Sequence, residues 1–216
     1  MGAFQGGLTY RQYRVKERLP AQWQSRVLQG VVNNIARDLK LSEDEIRHIG
    51  WCNAHFVLDT EVTLENCIYN EYVLLGMRID SLNVPKGLLN IYCEAEERKV
   101  RKELKKEALS RYERAEIRES LEQQLKKRLL PSIRSTEMVW NWESGIVRFF
   151  STSKSLNEEF MELFEDSFGL MLIPEYAYTL AQDPSLNLSK KQLKTLDMIE
   201  PTPFVDSETL FETMKG

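Results

Sequence analysis

Two histidines and three cysteines are the scarcest reactive side chains of this sequence, and His48, Cys52 and His55 fall together in "HIGWCNAH". An H-x3-C-x2-H spacing offers three soft ligands to a zinc ion, which ordinarily takes four in a structural site. A fourth ligand is not obvious, and the trailing "HFVLD" reads as a strand. Cys52, next to Trp51, reads instead as a buried thiol, so no metal is assigned. A cysteine–histidine nucleophile pair is compatible with the spacing but has nothing else to support it. No G-x-S-x-G elbow, Walker loop or G-x-G-x-x-G occurs. A metal-dependent nuclease needs carboxylates and a lysine around a divalent ion. Asp80 followed by Glu97-x-Lys99 imitates that order, yet Glu97 and Lys99 lie in a helical run, where residues two apart point to different faces. No catalytic residue, cofactor or metal is therefore assigned, and the chain is expected not to be an enzyme. A nuclease is the weakest alternative.

The charged residues say more. From Arg98 to Arg134 there are thirteen basic residues against six acidic, a net +7, whereas Ser155–Gly216 has four against twelve, a net −8. Met1–Cys93 is balanced, ten against ten. A positive segment of this kind attracts polyanions within about 8 Å at physiological salt. Candidate phosphate contacts are Arg98, Arg101, Lys102, Lys105, Lys106, Arg114, Arg118, Lys126, Lys127, Arg128 and Arg134, with Arg11, Arg14, Lys16 and Arg18 in reserve. The competing reading is a solvated helix face. Glu97/Arg101, Glu107/Arg111 and Glu122/Lys126 are spaced as i, i+4 pairs, each stabilising by a few tenths of a kcal/mol. The acidic C-terminal segment is a further candidate to neutralise the basic helices.

These residues need elements to hold them. "LTYRQYRVKE" alternates and predicts a strand over Leu8–Glu17. "PAQWQSRVLQGVVNNIARDL" predicts an amphipathic helix, with Pro20 in its first turn and Trp23, Val27, Val31, Ile35, Leu28 and Val32 inward. "SEDEI" has the form of a capping box. Ala54–Asp59 and Glu71–Asp80 read as strands. Pro85–Leu130 is helical throughout but too long for one globular helix, so a break near Ala108–Tyr112, capped by Ser110, makes a hairpin or a kinked pair. Ile117, Leu121, Leu125 and Leu129 form its apolar ladder. Pro131 ends the helix, and "TEMVWNWESGIVRFF" predicts a β-hairpin. Leu129, Leu130, Met138, Trp140 and Trp142 read as core. A helix follows with Leu156, Phe160, Leu163 and Phe164 inward and Gly169 as its stop, then the strand "LMLIPE". The remainder, with Pro184, Pro201 and Pro203, is expected to hold one short helix near Lys190–Met198 and a loose end.

The fold class is α+β: antiparallel sheet, packed helices and a long charged helical hairpin. The expected parts are an N-terminal α+β part over 1–84, a charged helical segment over 85–130, a β-hairpin–helix–strand part over 131–176 completing the core, and an acidic tail over 177–216. With 42% hydrophobic residues the 216-residue chain can bury a core. Its −4 net charge argues against a globally basic coat protein. An odd, sparse set of cysteines fits a reducing compartment. Neither a signal-peptide core nor an apolar run of membrane-spanning length is present, so a cytoplasmic location is expected.

In order, "HIGWCNAHF", "EYVLLGMRID", "EERKVRKELKKE", "KKRLLPSIRSTEMVWNWESGIVRFFSTSKS" and "GLMLIPE" resemble the bacterial recombination-associated RdgC family. The order is kept from Leu8 to Glu175, and Leu129-Leu130-Pro131 through Lys154 is its most specific part. The resemblance implies a non-enzymatic protein that binds double-stranded DNA with little sequence preference, as a ring-shaped homodimer with a basic central hole. It also implies association with the nucleoid and restraint of the recombinase machinery. Family members carry a further C-terminal region that contributes to ring closure, and this chain is shorter there. The alternative from a different class is a protein-interaction module whose helical region docks a partner.

Overall fold

The structure is a computed structural model that describes residues 8–17, 23–40, 45–181 and 186–198. The chain divides into two compact units, Met1–Ile173 and Pro174–Gly216. The first is organised on a seven-stranded antiparallel sheet built from β1 (Arg11–Val15), β2 (Arg47–Cys52), β3 (Ile68–Tyr69), β4 (Tyr72–Ser81), β5 (Ser132–Asn141), β6 (Ile146–Phe149) and β7 (Leu172–Pro174). The strand order is β2-β4-β5-β6-β1-β7, with β3 also pairing β4. β4 and β5 pair over their whole length, Tyr72 opposite Asn141 through to Ser81 opposite Ser132. The parts read as 1–84 and 131–176 thus share one sheet, and the helical segment between them is an insertion between two neighbouring strands.

Alternation of side chains along each strand sorts the sheet into two faces. Tyr13, Trp51, Val73, Leu75, Met77, Met138, Trp140, Val147 and Phe149 form the buried one. Helix α1 (Trp23–Asn33) and helix α5 (Lys154–Phe168) close over it. From α5, Phe160 stacks on Phe149 with ring centroids 4.1 Å apart, and Phe164 meets Trp140 edge-on at 5.3 Å. The two helices approach closely at Gly30, where an added Cβ would stand 2.0 Å from the Ser167 carbonyl oxygen. Gly169 closes α5 in the left-handed region at φ 64°, which glycine adopts without a steric penalty. The Tyr13 hydroxyl donates inside this core to Asn157 Oδ1 at 2.6 Å, and Asn157 donates to the Ser151 and Ser153 carbonyls, whereas the buried indole N–H of Trp140 has no hydrogen-bond partner among the described residues.

Between β4 and β5 the chain makes α3 (Lys86–Leu104) and α4 (Arg111–Lys126). The expected break is present. Lys105 terminates α3 in the left-handed region at φ 51°, and Ser110 caps α4 with Glu113 in a reciprocal capping box. The pair packs as a hairpin on its own small cluster of Leu89, Cys93 and Leu125, with Val84, Leu88 and Leu121 alongside. Among the described residues the remaining helices are α2 (Leu64–Cys67), α6 (Ala177–Ala181) and α7 (Lys190–Asp197). α7 fulfils the expected short C-terminal helix, and α6 is a second helix beyond the one expected there.

Several expectations need correction. Ala54–Asp59 is a loop; the strand is the preceding Arg47–Cys52. Asn53 reverses the chain, its backbone N–H donating to the Asp59 carbonyl and its side chain to Asp59 Oδ2, while the His55 N–H donates to Asn53 Oδ1. Phe56 and Leu58, which gave the stretch its strand character, are 69% and 71% exposed. Helix α1 ends at Asn33, so Ile35 lies beyond it in a bridge to Trp51, and Val32 is exposed. Leu130 is 91% exposed, because the chain leaves α4 there and turns before Pro131. Pro20, Ser42 of the capping box, Pro184, Pro201 and Pro203 lie outside the described residues.

Candidate nucleic-acid interface

The hairpin itself is less basic than the net +7 window implied. Across Lys86–Lys126, which takes in Glu94, Glu96 and Glu97 of α3, eleven basic residues meet nine acidic ones, a net +2. The excess is concentrated at its two ends. Arg98–Lys106, on the last turns of α3 and the connection beyond, holds six basic residues and one acidic. Lys126–Arg134, where α4 returns to the sheet, holds four basic residues and no acidic one. Antiparallel packing puts these clusters at opposite ends of the hairpin, separated by about 24 Å, the length of a 16-residue helix.

Intramolecular contacts sort the eleven candidates further. Lys106 pairs with Glu113 at 2.6 Å, Lys126 with Glu122 at 3.0 Å, and Arg114 with Glu97 across the hairpin at 3.9 Å. Arg118 donates to Asn90 Oδ1, and Arg101 donates to the Glu97 backbone carbonyl. The expected Glu97/Arg101 pair is thus replaced by an interhelical one. Glu107 lies in the non-helical connection, so the expected Glu107/Arg111 helix pair does not form. Glu122/Lys126 forms as expected. The side chains of Arg98, Lys102, Lys105, Lys127, Arg128 and Arg134 are all exposed and have no hydrogen-bond or ion-pair partner among the described residues. They are the side chains free to meet phosphates. Glu113, held by Lys106 and by the Ser110 backbone and hydroxyl, has its carboxyl lowered to about 2. Of the reserve set, Arg11 and Arg14 donate to the Thr152 and Ser144 carbonyls, Lys16 is exposed, and Arg18 lies outside the described residues.

Arg134 differs from the rest in position. It sits opposite Ile79 in the β4–β5 ladder, on the sheet face that also bears Met138 and Trp140. There it lines a groove with Arg47, Ser153, Ser155 and Glu159. Sequence reasoning did not single out Arg47 or the serines. The available signal was the hydroxyl-rich "STSKS" run at the start of α5, whose relation to β2 and β5 exists only in the folded sheet.

The other constellations come apart or are used structurally. His48 and Cys52 lie four residues apart on β2, about 13 Å at strand rise. No group of three or more His, Cys, Asp or Glu suited to a metal occurs among the described residues. Burial pushes the Cys52 and Cys67 thiols up to about 11, opposite to what a reactive thiolate needs. Asp80 is 2% exposed, and both its oxygens accept from Arg78, at 2.8 and 2.6 Å. Arg78 also reaches Asp38 at 2.9 Å, and these carboxylates raise its pKa further. The carboxylate of the nuclease-like order is therefore committed to an ion pair, and its would-be partner Glu97 belongs to the hairpin pair with Arg114.

No protein-family model and no curated protein matches the chain. None of the described helices is long and apolar enough to cross a membrane.

Proposed function

We propose that this is a non-enzymatic, double-stranded DNA-binding protein that acts with little sequence preference, as the resemblance to the RdgC family implies. The observation that carries the reading is the pair of basic clusters at the two ends of one projecting hairpin, together holding six exposed cations whose side chains have no partner among the described residues. Their separation of about 24 Å matches the rise of roughly seven base pairs, so both reach phosphates of one duplex. Phosphate contacts of this kind position the protein and carry no sequence information. The same reading makes the protein a homodimer that works in the cytoplasm on the nucleoid and restrains access of recombinase machinery to DNA.

Fluorescence anisotropy on a random duplex tests it. If all six free cations contact phosphates, log affinity falls with log salt with a slope of about −5 per protomer. Absence of binding at 50 mM salt would sink the proposal. K126E/K127E/R128E flattens the slope by about 2, because Lys126 is already paired and only two free cations are lost. An unchanged slope means that these residues do not touch DNA. Sedimentation analysis decides the dimer.

A second reading, a protein-docking module, is favoured by the apolar side chains that the hairpin leaves in water. Ile91, Tyr92 and Tyr112 are 67%, 43% and 79% exposed. A protein complex that survives nuclease treatment, with no affinity for duplex, favours it over DNA binding.

A further inference from the structure

We propose that the groove between the β2–β4–β5 end of the sheet and the first turns of α5 is a phosphomonoester site of mononucleotide size. Ile79 and Ser81 of β4, Arg47 of β2, and Arg134 and Thr136 of β5 all project on the sheet face that forms the core. Helix α5 starts only at Lys154, so at this end the face ends in a groove instead of packed side chains. The groove measures about 670 Å³, within the range of small-molecule sites.

Its lining favours an anion with an apolar appendage. Arg47 is fixed by Glu159 at 2.5 Å, which orients one guanidinium and offsets its charge. Arg134 has no such partner among the described residues, so the lining keeps one uncompensated positive charge. A guanidinium fork matches phosphate oxygens bidentately. Ser81, Thr136, Ser153 and Ser155 line the same groove, with the Ser153 and Ser155 hydroxyls 3.4 Å apart. Ser153 occupies the N-cap of α5 without accepting a hydrogen bond there, so its hydroxyl does not satisfy the helix's first amides. Half-buried Ile79 and Leu156 supply an apolar wall for a base or sugar. A free nucleotide and the terminal nucleotide of a DNA strand share this chemistry. The inference goes beyond duplex binding: it shares Arg134 with that reading and adds Arg47 and Ser153.

Calorimetric titration of the full chain with dAMP, inorganic phosphate and adenosine tests it. The expected result is binding of dAMP, weaker binding of phosphate and none of adenosine. R134A weakens dAMP by about tenfold or more, the effect of one charge-assisted contact, and S153A weakens it less. K127E/R128E, which alters cations outside the groove, leaves it unchanged. No dAMP binding, or equal affinity in R134A with both proteins melting alike, overturns the proposal, and phosphate binding as tightly as dAMP overturns its mononucleotide size. A blunt duplex with and without 5′-phosphates identifies the source. A 5′-phosphate preference that R134A abolishes assigns the groove to DNA ends, and dAMP binding without that preference assigns it to free nucleotide. Loss of duplex binding with dAMP binding retained sinks only the duplex-binding proposal.

Discussion

The sheet core and the charged hairpin are built on opposite principles. The core stacks aromatic rings from three strands and one helix, with Trp51, Trp140, Phe149, Phe160 and Phe164 all fully buried. The hairpin has three buried side chains in its cluster, Leu89, Cys93 and Leu125, and surrounds them with charge. Stability is therefore concentrated where no ligand reaches, and the candidate contacts sit where little packing depends on them. Candidate contact residues on the hairpin can be changed with small cost to the fold, whereas core residues cannot. The difference also separates two uses of charge: Arg78 and Asp80 are sequestered as an internal brace, while Lys127 and Arg128 face water.

The largest effect is expected from Phe160→Ala, which empties the centre of the ring stack. It should lower the unfolding free energy by about 3–5 kcal/mol, read by denaturant titration. A loss below 1 kcal/mol would break the claim that stability resides there. Asp80→Ala leaves Arg78 buried and without its principal counter-charge, which costs about 3 kcal/mol or more. The double change Arg78→Met with Asp80→Ala recovers much of it, because apolar replacement of both partners removes the stranded charge. Equal losses in the single and double variants would show that packing, not charge, holds this site.

Leu125→Ala should cost about 2 kcal/mol, the low end for such truncations, because its cluster is small. Hydrogen exchange sharpens the contrast: amides of α3 and α4 speed up while those of β4 and β5 keep their protection. Uniform acceleration would mean that hairpin and sheet unfold as one unit. The smallest effect is a pH dependence. Glu113 and Glu45 are both held at about 2, Glu113 chiefly by Lys106 and Glu45 chiefly by Arg37. A carboxyl depressed in the folded state stabilises it above its ordinary pKa and loses that contribution as pH falls from about 4.5 toward 2. Hairpin protection should decline over that window, and Glu113→Gln should remove the hairpin's share of the decline. A decline unchanged in Glu113→Gln would assign it to another carboxylate.

Much of this layout is readable in the residues because it is local. The alternation of Met138, Val139 and Trp140, the i, i+4 recurrence of Ile117, Leu121 and Leu125, and Ser110 with Glu113 each report on a few neighbouring positions. The errors arise where a distant partner decides. "HFVLD" has strand composition, but Asn53 and Asp59 tie a loop across it. Leu130 has core chemistry, but it falls where the chain leaves a helix. The candidate site was legible as a set of basic residues and not as a geometry, because a charge count depends on the window chosen and takes no account of which carboxylate meets which cation.

The sequence by itself determined the α+β class, the helical break at Ser110, the β-hairpin around its tryptophans and the presence of a basic region, since propensity, period and capping act within a turn or a strand. Only the tertiary structure decided that Arg101, Lys106, Arg114, Arg118 and Lys126 are held by the protein's own groups while the side chains of Arg98, Lys102, Lys105, Lys127, Arg128 and Arg134 have no partner among the described residues. It alone brought Arg47 and Arg134, 87 positions apart in the chain, onto one groove beside Ser153. Strand pairing and helix packing set those neighbours, and both depend on contacts between residues that no local pattern relates.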